Sequence, residues 1–389
     1  MKNKKMRRFV LFIVIVGLVC VSLYSGGLCS SAQSNDLDTW LEEAALGPYA
    51  PEEEDWDAVY EAAKVEPPLL VYMSTSRITL FVDSFREQFP GVETEELYIQ
   101  QVDMLPRLNR EWEAGVWNVG VINISDLASP GELPKDSLIS YVPPEYRDLY
   151  PEKYQGPVFT TAQSLRGFMY NPEFSPDGPP FTSLWDLTTE EFRGKVILTD
   201  LLIASGIAQQ FITIVQHADE LAADYEARFG KPLELRERDA GFEWVRRLLE
   251  NEPYIVEDWR EQAEALTNAK ELMVSEMNYI RMANVWDGEY KMKFVTGMTP
   301  VDAVAVPRWF AIGAFNSSPN AAKLFIHCMM TEEAGRPFFD RGFLNTRFGW
   351  EPTQEWMKDI TEITYWDMEP ESYWDYHPEV LDLLLQYAP

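Results

Sequence analysis

The chain is poor in the residues that most often carry out chemistry. Its 389 residues include three histidines, His217, His327 and His377, and three cysteines, Cys20, Cys29 and Cys328. Three cysteines exclude a disulfide framework of any density, so stability has to come mainly from core packing. There is no GxSxG elbow and no HExxH helix. His217 and His327 fall in expected helices without a cysteine or histidine at ligand spacing. Ser76 and Ser205 therefore lack an evident base, although hydrolysis by two carboxylates far apart in sequence stays open. Positive charge is scarce as well: 33 Lys and Arg stand against 63 Asp and Glu, a formal charge of −30. With the N-terminal cluster Lys2, Lys4, Lys5, Arg7 and Arg8 set aside, that becomes −35. Such a coat repels nucleic acid and anionic membrane surfaces, yet it can coexist with a locally positive cleft. A hydrophobic content of 46% excludes wholesale disorder.

What is present begins with an address. Residues 9–24, FVLFIVIVGLVCVSLY, are almost wholly apolar and follow the basic cluster, as in a secretory signal. Ser25 to Ser34 is small and polar enough to contain a cleavage point, while an uncleaved anchor remains open. Cys29, preceded by Ser25-Gly26-Gly27-Leu28, is an imperfect match to a lipidation site. Export to the periplasm or another extracytoplasmic space is the expectation, with or without a membrane tether. Cys328 lies in an apolar helical stretch and reads as a buried small hydrophobe.

The most informative stretch is LLVYMSTSRITLFVDSFREQF, residues 69–89. Leu69 to Tyr72 predicts a short buried strand, and Ile78, Phe81, Val82, Phe85 and Phe89 recur at helical spacing. Between them, Ser74, Thr75 and Ser76 are positioned to cap the helix and leave its first N–H groups for an oxygen of a ligand. Arg77 would add a fork of donors beside that place if it turned inward. Ordinary capping and a surface arginine are the competing account. Val119 to Ile124 predicts another strand, ending in Ser125-Asp126; in a parallel sheet both strand ends would meet at one crevice.

The remaining pattern is alternating. A polar connector over 30–36 and short helices over 37–46 and 55–64 precede the first strand. Val102 to Ala114 predicts a helix with Pro106 in its first turn. Leu165 to Tyr170, Val196 to Leu198, Leu272 to Met277 and Met292 to Val295 predict strands, with helices over 205–216, 219–250, 259–269 and 279–286. Val301 to Val306 recrosses, and Asn320 to Met330 is a helix with Asn320 as its cap. Tyr365, Trp366, Tyr373, Trp374 and Tyr376 mark an irregular aromatic tail docked on a lobe, with a partner surface as the alternative. This is an α/β chain with two lobes.

In order, the segments DWDAVYEAAKVEPPLLVYMSTSR, FREQFPGVETE, LNREWEAGVWNVGVI, FMYNPE, SLWDLTTEEFRGKVILTD and SPNAAKLFIHCMMTEEAGR resemble an extracellular solute-binding protein of an ABC importer. The resemblance is to the iron/thiamine/sugar-phosphate-related branch and covers roughly residues 50–350. It implies a class II periplasmic-binding-protein-like fold, two α/β lobes closing on a solute and presenting the closed form to a membrane permease. It implies residues 1–34 as signal or anchor and connector, 35–138 and 301–389 as a discontinuous first lobe with its C-terminal extension, and 139–300 as the second lobe.

Carried over residue by residue, the family pattern puts Ser74, Thr75, Ser76 and Arg77 in the first ligand-facing loop and Ser125 and Asp126 at the later strand end. Asn171 matches a recurring tyrosine-asparagine step, and Ser205 and Gly206 match the loop before a ligand-facing helix. Arg308 and Trp309 follow the returning crossover. Tyr279, Trp286 and Trp309 would cover a ring or sugar face. Ferric-ion members place adjacent tyrosines late in the second lobe, and Tyr279 through Trp286 contains no such pair. The expected ligand is a small anionic organic solute, with a phosphorylated one as an option, taken up by a monomer without cofactor, resident metal or nucleic acid. Ferric-ion or other cation binding is the alternative within the class; a secreted hydrolase and a surface adhesin are the alternatives outside it.

Overall fold

The computed structural model describes residues 28–125, 129–199, 205–369 and 372–387. Helices α1 (Leu28–Ala44) and α2 (Trp56–Ala63) lead into strand β1 (Leu69–Met73), followed by α3 (Ile78–Gln88), β2 (Thr94–Tyr98), α4 (Gln101–Glu113) and β3 (Val121–Ile124). A short α5 (Ser129–Glu132) and β4 (Leu138–Ile139) precede the twelve-residue β5 (Phe159–Tyr170). Then come β6 (Val196–Thr199), α6 (Ser205–Gln216), α7 (Ala218–Phe229), α8 (Ala240–Glu250), β7 (Tyr254–Val256), α9 (Trp259–Asn268), β8 (Val274–Asn278), α10 (Met282–Trp286) and β9 (Lys293–Phe294). The eleven-residue β10 (Ala303–Gly313) returns, followed by α11 (Pro319–Met330), α12 (Glu332–Phe339), β11 (Leu344–Asn345), β12 (Tyr365–Asp367) and α13 (Tyr373–Tyr387).

The strands form one sheet in the order β2-β1-β3-β10-β5-β8-β6-β7. Parallel strands β2, β1 and β3 lie on one side and parallel β8, β6 and β7 on the other. The long antiparallel pair β5 and β10 joins them. Ile124 of β3 pairs with Trp309, and Asn278 of β8 pairs with Arg166, so the C-terminal ends of β3 and β8 face the middle of the crossing pair. That is where loops from both lobes converge. Gly167 sits on the crossing strand with the Asp302 carbonyl 2.6 Å from where a Cβ would be, so only glycine permits this approach.

Each lobe has its own core. In the first, α3 buries Ile78, Phe81, Val82 and Phe85 against Phe325 and Phe338 of α11 and α12. Burying each phenylalanine contributes roughly 1.5–3 kcal/mol. In the second, α6 and α8 pack Phe211, Trp244 and Leu248 around Trp185. Tyr141, Val142 and Tyr150, just beyond the expected 138/139 position, pack in the first core.

Several local expectations are corrected. Residues 30–36 continue the helix α1 instead of forming a connector. Pro106 lies beyond the first turn of α4. Asn320 does not cap α11: Ser318 holds the cap position, and Glu66 reaches across to accept from the backbone N–H groups of Asn320 and Ala321 at 3.1 and 2.9 Å. His217 lies between α6 and α7, at the N-cap of the latter. The aromatic tail is not irregular but ends in α13, whose Tyr373, Val380, Leu383 and Leu384 pack in one core with α6 and α8. No described helix is long and apolar enough to cross a membrane.

Candidate functional site

The first loop is built from the end of β1. Ser74 N–H donates to the Asn123 carbonyl at 2.9 Å, fastening it to β3. Thr75 is buried, and its Oγ1 accepts the Arg77 N–H at 3.3 Å in a local turn. The expected hydroxyl cap is absent: Arg77 holds the N-cap position of α3 without a side-chain hydrogen bond to it. Ser76 is exposed, and the Ser74 hydroxyl is buried with no partner. Burial draws the Arg77 guanidinium below its usual range, and the charge of Arg341 adds to this.

Arg308 comes from the middle of β10. Its Nη1 donates to Asn123 Oδ1 at 3.0 Å, while Asn123 Nδ2 donates to the Trp309 carbonyl at 2.9 Å. The guanidinium lies 5.1 Å from the Phe338 ring and 5.3 Å from Phe343. Its Nε is buried without a partner. Burial, then the neighbouring charge of Arg77, pulls this guanidinium down to about 9.

A third arginine arrives from the second lobe. Asn278, at the end of β8, accepts the Ile280 N–H at 3.1 Å and turns the chain, and its amide donates to the Ser164 hydroxyl. Arg281 follows in that turn and stacks over Trp259, 3.7 Å from the ring centroid. Its Nε is also buried and unpartnered. Burial lowers it to about 9, helped by the charges of Arg166, Arg77 and Arg260 and opposed by that of Asp258. Arg166 is neutralised by Glu276 through contacts of 2.9 and 2.8 Å, and Arg341 by Asp287 at 3.3 Å.

Arg281 and Arg308 each feel the charge of Arg77, and among the described residues none of the three forms a salt bridge with a carboxylate, although Asp258 acts on Arg281 from a greater distance. Like charges left together in partial burial are unfavourable unless an anion enters. Their planar forks suit phosphate or carboxylate oxygens. The buried Thr199 hydroxyl at the end of β6 is a further polar group without a partner. No group of three or more His, Cys, Asp or Glu among the described residues is arranged to hold a metal ion.

Other expected site residues have different placements. Ser125 is half-buried at the end of β3, and Asp126 lies outside the described residues. Ser205 and Gly206 begin α6, and the placement of the Ser205 side chain lies outside the described residues. Asn171 is at the far end of β5 and fully used: Nδ2 donates to the Leu266 and Thr267 carbonyls, and Oδ1 accepts the Glu173 N–H. Tyr279 is buried against Phe294 and Trp356 and donates to the Trp356 carbonyl at 3.3 Å. Burial pushes its hydroxyl pKa upward. Trp309 is fully buried in the first-lobe core, whereas Trp286 is 61% exposed. Arg281, Trp259 and Asn123 were missed; an arginine just after a strand was the one available signal for Arg281.

This architecture is the class II fold of the two-lobed periplasmic binding proteins. Among solved structures, it matches apo ferric ion-binding protein A of Pasteurella haemolytica at 14% identity and a TM-score of 0.66, covering 82% of this chain and 97% of that one. It matches the ferric binding protein of Campylobacter jejuni at 16% and 0.64, covering 82% and 99%. It also matches the periplasmic binding protein AfuA of Actinobacillus pleuropneumoniae, solved with exogenous fructose-6-phosphate bound, at 16% and 0.61, covering 82% and 98%. No family model matches the sequence, and no curated protein does.

Proposed function

We propose that the chain is the extracytoplasmic solute-binding component of an ABC importer, capturing a small anionic organic solute between its lobes and delivering it to a membrane permease. The observation that carries the reading is the trio Arg77, Arg281 and Arg308, drawn from both lobes and forming no salt bridge with a carboxylate among the described residues. A phosphate ester is the solute class that fits best, because a dianion can accept from more than one guanidinium fork at once. Ser74, Ser76 and Ser205 would supply hydroxyl donors around it, and Trp259 an apolar wall. The fold's likeness to a fructose-6-phosphate-bound protein supports the same reading.

The mechanism is capture rather than bond-making. An anion entering the gap draws Arg281 toward Arg77 and Arg308, closes the lobes along β5 and β10, and presents an altered surface to the permease. We place the lobe boundaries within those two strands. The N-terminal apolar run supports export.

The likeness to ferric-binding proteins keeps iron as the second reading. A bare trivalent cation would meet three arginines here, none of them in a salt bridge, so iron would have to arrive inside an anionic complex. Calorimetry with hexose 6-phosphates, citrate, inorganic phosphate and ferric ion separates the two. The proposal expects organic anions to bind and R77A and R281A to weaken them while the protein stays folded. Tight capture of ferric ion without an anion, unaffected by either substitution, would overturn it.

A further inference from the structure

A cavity of about 1030 Å³ opens on the other face of the crossing strands. Gln163 and Pro307, register partners on β5 and β10, line it. Side chains alternate along a strand, so these two point away from Ser164 and Arg308, their immediate neighbours. None of Arg77, Arg281 and Arg308 contributes to the lining.

The walls are aromatic and acidic. Tyr154, Tyr365, Trp366 and Trp374 supply rings, with His217 stacked flat on Trp366 at 4.3 Å. Asp367 is satisfied by Lys153 at 2.5 Å, Gln163 Nε2 at 3.2 Å and the Tyr154 hydroxyl. That carboxylate fixes which way the Gln163 amide points, and the opposite end, Oε1, is buried without a donor. Glu369 and Asp375 also line the cavity, and neither is paired with a described cation. Negative charge therefore exceeds positive in a ring-walled space of ligand size.

We infer that this cavity is a second binding site, for a small organic cation carrying N–H donors beside an apolar ring. Ring faces attract a cation through their quadrupoles, and Glu369 and Asp375 supply the charge that Lys153 does not cancel. The inference does not depend on what the arginines bind.

Benzylamine, protonated at neutral pH, and benzyl alcohol, its neutral counterpart, are the probes, titrated into the full chain by calorimetry. Benzylamine should bind at least ~10-fold more tightly than the alcohol. W374A and D375N should each weaken it by roughly 3- to 10-fold, and R281A should leave it unchanged. Trp374 is 41% exposed, so its removal leaves the core intact, and thermal unfolding of the variant checks this. Equal binding of the two probes, no binding of benzylamine, or indifference to both W374A and D375N would each overturn the inference.

Discussion

Two groups of buried and half-buried arginines in this molecule face opposite situations. On α8, Arg246 and Arg247 contact one carboxylate, Glu243, at 2.6 and 2.5 Å, and the Arg236 N–H donates to it at 2.9 Å. Burial would raise the Glu243 pKa, but Arg246, the Arg236 N–H and Arg247 overcome that and hold it at about 2. Between the lobes, Arg281 and Arg308 are pulled down to about 9, by burial and by other arginines. The first group is paired within the protein, whereas the second forms no salt bridge with a described carboxylate, and that contrast is what the proposed anion site rests on.

The sharpest way to break this contrast is to delete one member of each group. E243A should strand buried guanidiniums and cost about 3–5 kcal/mol in urea unfolding. R281M should cost the empty protein little, because a repelled charge is removed while packing on Trp259 is kept. Comparable destabilisation by both would erase the distinction. Next in size, a phosphate ester at about 100 times its Kd should raise unfolding stability by ~2.7 kcal/mol, seen as a rise in Tm. R281M should lose most of that gain, with affinity falling roughly 10- to 100-fold by calorimetry.

Acid provides a third handle. Glu243 titrates lower in the folded chain than in the unfolded one, so its contribution is present above about pH 4.5 and disappears as pH falls toward about 2. E243Q should remove that segment of the stability-versus-pH curve; an unchanged curve would show that the α8 network is not what acid dissolves. The smallest effect belongs to S74A. Its hydroxyl has no partner, so stability should move by less than ~0.5 kcal/mol, while anion affinity falls about 2- to 5-fold if that hydroxyl meets the solute.

Much of the fold was legible because periodicity is local. The run from Leu69 to Phe89 reads as strand then helix, and β1 and α3 follow it closely. The α6 boundaries coincide with those expected from Ser205 to Gln216. The crossing strands were read too short because Thr160, Thr161, Gln163 and Ser164 look like loop, yet all are buried where two strands and the returning tail cover them. The Glu66 clasp on α11 joins residues far apart in the chain and leaves no local pattern. Of the candidate site, Arg77 and Arg308 were named from the sequence, whereas Arg281 comes into view only through the turn after β8, and the Asn171 amide is taken up by α9 carbonyls that no local pattern announces.

Asp367 has a consequence for how far the halves can part. It sits on β12, which pairs with the second-lobe end of β10, yet it also grips Lys153 and Tyr154 from the segment running into β5. The tail therefore acts as a strap behind the joint, a third passage beside the two long strands. Cutting the chain before Tyr365 would do more than shorten it: α6 and α8 would lose the cover of α13, and the joint would lose its stop.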